Sequence, residues 1–205
     1  MAGGRGTRLM PLTANRPKPM VPVLGRPVID YVKDAMVAAG LSEIVVTTGY
    51  QGEQLVEHVG TWDVNSRVNQ EESPMGTAGS VRLLSDELKE TFVVGSGDSV
   101  ASFDITDLLE SHRKSGAKVT MALWRVDDPT EYGIVGLSEV NQGDVDSDLS
   151  EGFISRFKEK PTISEAFSNL INAGLYIIEP EVMDLIPEGE KYDFSKQLFP
   201  DVLSR

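Results

Sequence analysis

The sequence predicts an α/β protein, a Rossmann-like three-layer sandwich with a mainly parallel central sheet and a small α+β extension. Three observations carry that prediction. Short β-branched runs alternate with amphipathic helical stretches from residue 28 to residue 126. Such a rhythm builds a parallel sheet with helices on both faces. Beyond Pro129 the texture changes to strands followed by helical patterns, and no linker separates the two parts. One domain over 1–205 is therefore expected, with halves 1–128 and 129–205.

Each element follows from its own pattern. "VIDYVKDAMVAAG" (28–40) puts Val28, Tyr31, Val32, Ala35, Met36 and Ala39 on one stripe and ends at Gly40, a helix with its stop signal. "EIVVTTGY" (43–50) reads as a buried strand, and "GTAGSVRLLSDEL" (76–88) as a helix. "TFVVGSGD" (91–98) is a strand that runs into a Gly-rich turn and an acid. "DITDLLESHRKSG" (104–116) is a helix with Asp104 as its N-cap, and "AKVTMALWRV" (117–126) is the next strand. "YGIVGLSEV" and "EGFISRFKEKP" read as strands joined by the acidic loop "NQGDVDSDLS". "INAGLYIIEP" is a further strand, and helices are expected around "PEVMDLI" and "DFSKQLFPDVLS".

Composition removes whole classes of function. Apolar and charged contents of 40% and 25% are those of a folded globular chain, neither disordered nor fibrous. No apolar run approaches the roughly 18 residues of a membrane span, and no secretory h-region is present. A soluble, cytoplasmic protein with no membrane partner is expected. The absence of cysteine excludes disulfides and thiolate metal sites. A net charge of −13 argues against nucleic acid as a partner, which needs an extended basic face.

Against that acidic background the N-terminal stretch "GGRGTRLMPLTANRPKPM" stands out. Arg5, Arg8, Arg16, Lys18 and Arg26 fall before the first carboxylate, Asp30. The remaining 176 residues carry 14 Lys and Arg against 32 Asp and Glu. A local reversal of this kind suits a small, strongly negative ligand. Gly3, Gly4 and Gly6 allow close backbone approach with N–H groups turned inward, as phosphate oxygens require. Arg8 and Lys18 supply full charges. The spacing matches neither G-x-x-x-x-G-K-[ST] nor G-x-G-x-x-G, so the glycines alone leave a flexible terminus equally open.

The longer string "AGGRGTRLMPLTANRPKPMVPVLGRPVIDY" resembles the signature of the sugar-phosphate nucleotidyltransferases, which join an NTP and a sugar 1-phosphate. "QEESPMGTAGSV", "VVGSGD", "EYGIV", "FKEKP", "INAGLYI" and "YDFSKQLFP" continue the resemblance in order to about residue 200. It implies that residues 1–128 form an NTP-binding half and 129–205 a sugar-phosphate-binding half, without a C-terminal left-handed β-helix domain. It implies that Gly3, Gly4, Gly6 and Thr7 wrap the NTP phosphates, with Arg8 on the β- and γ-phosphates and Lys18 at the reacting phosphates. Gln70, Gly76 and Thr77 would contact the nucleotide, and Asp98 would hold Mg²⁺. Gly133, Glu159, Lys160 and Asn172 would line the sugar side, Lys160 on the phosphate and Glu159 on sugar hydroxyls.

The string resembles mannose-1-phosphate guanylyltransferases most, implying GTP and mannose 1-phosphate as substrates. UTP or dTTP with glucose 1-phosphate is the alternative, and a non-catalytic relative that senses a sugar nucleotide is another. The family places an apolar strand directly ahead of "AGG" in mid-sheet, and a second metal-binding aspartate in a "G-Y-W-x-D-x-G"-like segment; neither motif occurs in this sequence. Ser96 stands where Asn is usual, and Met75 where Leu is usual. A homo-oligomer stays open. His58 and His112 are expected to be structural or surface residues, Trp62 and Trp124 packing residues, and Arg5, Arg16 and Arg26 solvated charges. The "DVDSDLSEG" loop is expected to be a solvated hairpin, because Leu149 and Ser155 stand where a calcium loop needs Gly and Glu.

Overall fold

The computed structural model describes residues 1–4, 6–49, 52–100 and 104–205. A two-stranded hairpin, β1 (Pro22–Val23) and β2 (Arg26–Pro27), leads into α1 (Val28–Ala38). The helix stops where the glycine predicts: Gly40 N–H donates to Val37 O at 2.9 Å and Leu41 N–H to Met36 O at 3.1 Å. Strand β3 (Glu43–Thr48) pairs in parallel with β4 (Asn65–Gln70), and α2 (Gly52–Val59) connects them. Leu55 and Val59 of α2 are fully buried with Ile44 and Val46 of β3, Ile29 of α1 and Ala2. Sequence patterning did not single out α2 or β4, since "NSRVNQ" alternates weakly and carries little apolar surface.

The remaining strands form a separate five-stranded sheet that is organised differently. Helix α3 (Gly76–Arg82) is shorter than the 76–88 expected, its tail running on as turns. Then follow β5 (Phe92–Gly95), α4 (Ile105–Ser115), β6 (Val119–Arg125), β7 (Gly133–Ser138), β8 (Phe153–Glu159) and β9 (Leu170–Ile178). Helix α4 begins where Asp104 predicts, its carboxylate accepting the N–H groups of Thr106 and Asp107 at 2.9 and 3.2 Å.

The α/β class stands, with pairing more mixed than a mainly parallel sheet. The parallel ladder is β3·β4, whereas β9 pairs antiparallel with β5, β6 and β7, and β7 with β8. The last strand in sequence, β9, is the hub. It runs against both β5 and β6, so those two strands point the same way without touching as neighbours. A strand–helix alternation predicts direction; it does not reveal a later strand that enters between two earlier ones.

The C-terminal segment covers this hub. After a short 3₁₀ stretch (Pro180–Leu185), residues Phe194–Leu198 form a π-helical turn that leads into α5 (Phe199–Leu203). Tyr176, Phe194 and Phe199 pack with centroids 4.9–5.5 Å apart, and Phe157 reaches Phe199 at 5.8 Å. Each fully buried side chain of this size, such as Phe194 or Leu198, contributes roughly 2 kcal/mol. Trp62 packs beside β3 and donates to Asp30, as a packing residue should. Trp124 stands 59% exposed on β6. Both histidines are structural: His58 lies 2.7 Å from Asp30, and buried His112 joins Thr120 to Glu179 at 2.8 and 3.0 Å.

The facing edges of β3 and β5 bound a cleft of about 640 Å³, lined by Val32, Met36, Val46, Trp62 and Val93 among others. Met1 and Ala2 bridge one end, the Met1 amino group donating to Gly95 O, Gly97 N–H to Met1 O and Ala2 N–H to Thr47 O, each at 2.8 Å. Those two residues carry the Gly-rich loop onto the C-terminal ends of both strands.

Candidate active site

The loop after Ala2 is shaped by its glycines and by Thr13. Gly6 has φ 62, and a Cβ there would sit 2.9 Å from Thr13 Cγ2 and 3.1 Å from Lys18 Cβ. Only glycine fits. The buried Thr13 hydroxyl donates to Gly6 O at 2.8 Å and fixes the turn. Gly4 has open space around it, so a ligand can approach its backbone. Thr7–Leu9 form a 3₁₀ turn that presents Arg8 to solvent. Arg5 lies outside the described residues.

Lys18 and Asp98 meet beneath that loop. Lys18 starts a second 3₁₀ turn anchored by buried Pro19. Its Nζ lies 2.7 Å from Asp98 Oδ2, and the Ser96 hydroxyl donates to Asp98 Oδ1 at 2.5 Å. Burial alone would push the Asp98 pKa up. The hydrogen bonds from Lys18 and Ser96 outweigh it and hold the carboxyl below its ordinary range. Asp98 is thus an anion held beside the Lys18 cation.

Gly133, Glu159, Lys160 and Asn172, the residues expected on a sugar side, gather at β7, β8 and β9. Gly133 pairs with Glu159, and a Cβ on it would lie 2.8 Å from Glu159 Oε2 and from Phe157 Cζ. Its absence lets the carboxylate lie across the strand. Burial, then the nearby Asp193 carboxylate, raises the Glu159 pKa, against the pull of Lys160 and Lys196. Lys160 follows with φ 46, its N–H donating to Tyr132 O at 2.8 Å. Asn172 accepts Gly174 N–H at 2.9 Å and donates to Ser195 Oγ at 3.3 Å.

Two clusters join the halves. Arg8 Nη1 and Lys160 Nζ approach the same oxygen, Glu131 Oε2, at 3.9 and 3.4 Å. The second cluster surrounds α3. Gly76 has φ 75, and a Cβ there would meet Tyr192 O at 2.5 Å. Ala78 and Gly79 donate to Tyr192 O, and Tyr192 N–H to Met75 O. The Thr77 hydroxyl donates to Asp193 Oδ2 and accepts Phe194 N–H. That hydroxyl's proton is committed to Asp193, so toward a nucleotide it could only accept. Gln70, at the end of β4, leans over Gly52 of α2. Glu131, Asp193, Ser195 and Lys196 fall inside the strings "EYGIV" and "YDFSKQLFP", which carry the resemblance, but sequence alone assigns them no role.

An α/β sheet that gathers a Gly-rich cationic loop and an acid beyond its strand ends has the architecture of nucleotide-binding α/β proteins. Within that class the chain belongs to the nucleotidyl transferase family, whose model matches residues 1–205. It is 37% identical to mannose-1-phosphate guanyltransferase of Saccharomyces cerevisiae over 98% of this chain and 54% of that protein. Mannose-1-phosphate guanylyltransferase 1 of Arabidopsis thaliana is 32% identical over 98% of this chain and 55% of that protein. The chain thus spans about half the length of the curated relatives it matches. In fold it resembles a UDP-glucose pyrophosphorylase solved with UDP-glucose, with TM-score 0.79 and 20% identity over 100% of this chain and 85% of that one. HddC from Yersinia pseudotuberculosis, solved with GMP-PN, gives TM-score 0.72 and 23% identity over 97% and 83%. Among the described residues no helix is long and apolar enough to cross a membrane.

Proposed function

We propose that this chain carries the site of a sugar-1-phosphate nucleotidyltransferase that joins GTP and mannose 1-phosphate, releasing pyrophosphate. The observation that carries the reading is the Lys18–Asp98 pair at 2.7 Å beside the Gly6 turn. It sets a cation and an anion together where a Gly-rich loop meets two strand ends. The substrate pair is drawn from the similarity to fungal and plant relatives named for that reaction.

The chemistry needs positioning and charge rather than a general base. A sugar 1-phosphate is mostly dianionic at neutral pH, its second pKa being about 6. Its oxygen forms a bond to the α-phosphorus of the NTP while the bond from that phosphorus to the bridging oxygen breaks. Pyrophosphate leaves with the electron pair. Gly3, Gly4, Gly6 and Thr7 hold the NTP phosphates through backbone N–H groups, and Arg8 balances the charge that departs. Lys18 offsets repulsion between the reacting anions, while Lys160 orients the sugar phosphate. Glu159 and Asn172 select sugar hydroxyls, with Gly133 clearing room for Glu159. Gln70, Gly76 and Thr77 form the base side.

Asp98 would hold Mg²⁺. Among the described residues no group of three or more metal-ligating side chains occurs. One carboxylate suffices for a Mg²⁺ that completes its shell with phosphate oxygens and water. When bound, the ion supplies charge neutralisation at the phosphates. The Ser96 hydroxyl keeps Asp98 oriented when Lys18 turns toward phosphate.

Pyrophosphate release tests the reading directly. The chain is assayed with Mg²⁺ and each of GTP, UTP, dTTP, ATP and CTP, against mannose 1-phosphate and glucose 1-phosphate. Release above blanks with GTP and mannose 1-phosphate alone is the expected outcome. Release with UTP or dTTP and glucose 1-phosphate overturns the substrate assignment. Silence in every well, from protein shown to be folded, favours a non-catalytic sugar-nucleotide-binding relative.

A further inference from the structure

We propose that Glu131 is an anionic placeholder for the substrate phosphates. It is a positioning residue that holds Arg8 and Lys160 together and competes with phosphate for both. The inference rests on the reading of Arg8 and Lys160 as phosphate-binding residues. Both cations approach one oxygen, Glu131 Oε2, one from the N-terminal loop and the other from the end of β8. An oxygen shared by two cations is the position a phosphate oxygen bridging the two halves would occupy.

The turn that carries Glu131 is pinned from several sides. Asp128 Oδ1 accepts both the N–H and the hydroxyl of Thr130, at 3.0 and 2.7 Å. Tyr132 N–H donates to Pro129 O at 3.1 Å, and Lys160 N–H to Tyr132 O at 2.8 Å. Glu131 and Lys160 therefore ride on one hydrogen-bonded unit, and Arg8 reaches it from the N-terminal loop. Arg8, Glu131 and Lys160 side chains are 79%, 70% and 45% exposed. Exposed pairs of this kind contribute little and exchange readily. A phosphate dianion or a triphosphate offers more charge and more acceptor oxygens than one carboxylate, so it displaces Glu131. Until then the carboxylate keeps two like charges together and away from the other carboxylates of a chain with net charge −13.

The test is calorimetric titration of the full chain with inorganic pyrophosphate, and separately with mannose 1-phosphate, at low salt. Glu131→Gln keeps the shape and removes the competing charge. It is expected to tighten both ligands about two- to fivefold, with the gain shrinking as salt is added. Glu131→Asp, which keeps the charge, is expected to stay near the parent affinity. A turn that served only as scaffold would bind more weakly, or unchanged, in Glu131→Gln. That result, alongside weakened binding in Arg8→Ala and Lys160→Ala, overturns the placeholder and leaves the phosphate-site reading standing. Unchanged binding in Arg8→Ala and Lys160→Ala as well overturns both.

Discussion

The Thr77 hydroxyl donates to Asp193 Oδ2 at 3.0 Å and accepts the Phe194 N–H at 2.9 Å, joining residues more than a hundred positions apart. This pair locks the start of α3 to the turn that begins the C-terminal helix. Thr77→Val removes both bonds at a junction where Thr77 is exposed and Phe194 buried, at a cost of about 0.5–1.5 kcal/mol. A lower urea midpoint is expected, with Thr77→Ser recovering most of it. Equal midpoints for Val and Thr would remove the junction from the account of stability.

Gly76 makes the same junction possible from the backbone side. Gly76→Ala adds a Cβ at φ 75 that meets Tyr192 O at 2.5 Å, so one backbone must move. The expected loss is about 3 kcal/mol. Hydrogen exchange locates it: the Ala78 and Gly79 amides, both bonded to Tyr192 O, should exchange faster than amides in β6.

Lys18 and Asp98 separate chemistry from folding. Lys18→Ala should lower turnover more than tenfold, about 1.4 kcal/mol or more of transition-state stabilisation. Its far-ultraviolet spectrum should stay unchanged. Asp98→Asn should abolish activity or its Mg²⁺ dependence, checked by metal titration. Asp98 also carries a pH signature. Its folded pKa is depressed, so its contribution is present above the unfolded value of 3.8 and is lost as pH falls through the lower folded value. The melting temperature of Asp98→Asn should therefore fall less steeply than the parent's below pH 3.8.

Glu159 has the opposite sign. Its folded pKa is raised above the unfolded 4.5, chiefly by burial, so stability is lost as pH rises from 4.5 through the folded value. Glu159→Gln should melt about 1–2 °C higher than the parent at pH 7, with no gain at pH 4. Its KM for the sugar phosphate should rise at the same time, the exchange of stability for function common at binding sites. A variant less stable at pH 7 would contradict the assigned sign.

Elements with local causes were legible. The stop at Gly40 and the cap at Asp104 appear as hydrogen bonds at the residues that predict them, because caps and turns are satisfied within a few positions of sequence. The Gly-rich string was legible for a related reason, since a left-handed turn at Gly6 admits few other residues. Strand β4 was not, because its parallel partner β3 supplies the burial that "NSRVNQ" lacks. Nor was the exposure of Trp124, which depends on what covers β6.

By itself, then, the sequence determined the alternation of strands and helices, the cation-rich loop, and the residue types available to bind phosphate. Tertiary structure alone decided that β9 enters between β5 and β6, that Thr77 serves Asp193, and that Arg8 and Lys160 meet at one oxygen of Glu131. The reason is physical. Local hydrogen bonds and periodic burial are written in neighbouring residues, whereas a contact between distant residues exists only after every intervening element has packed.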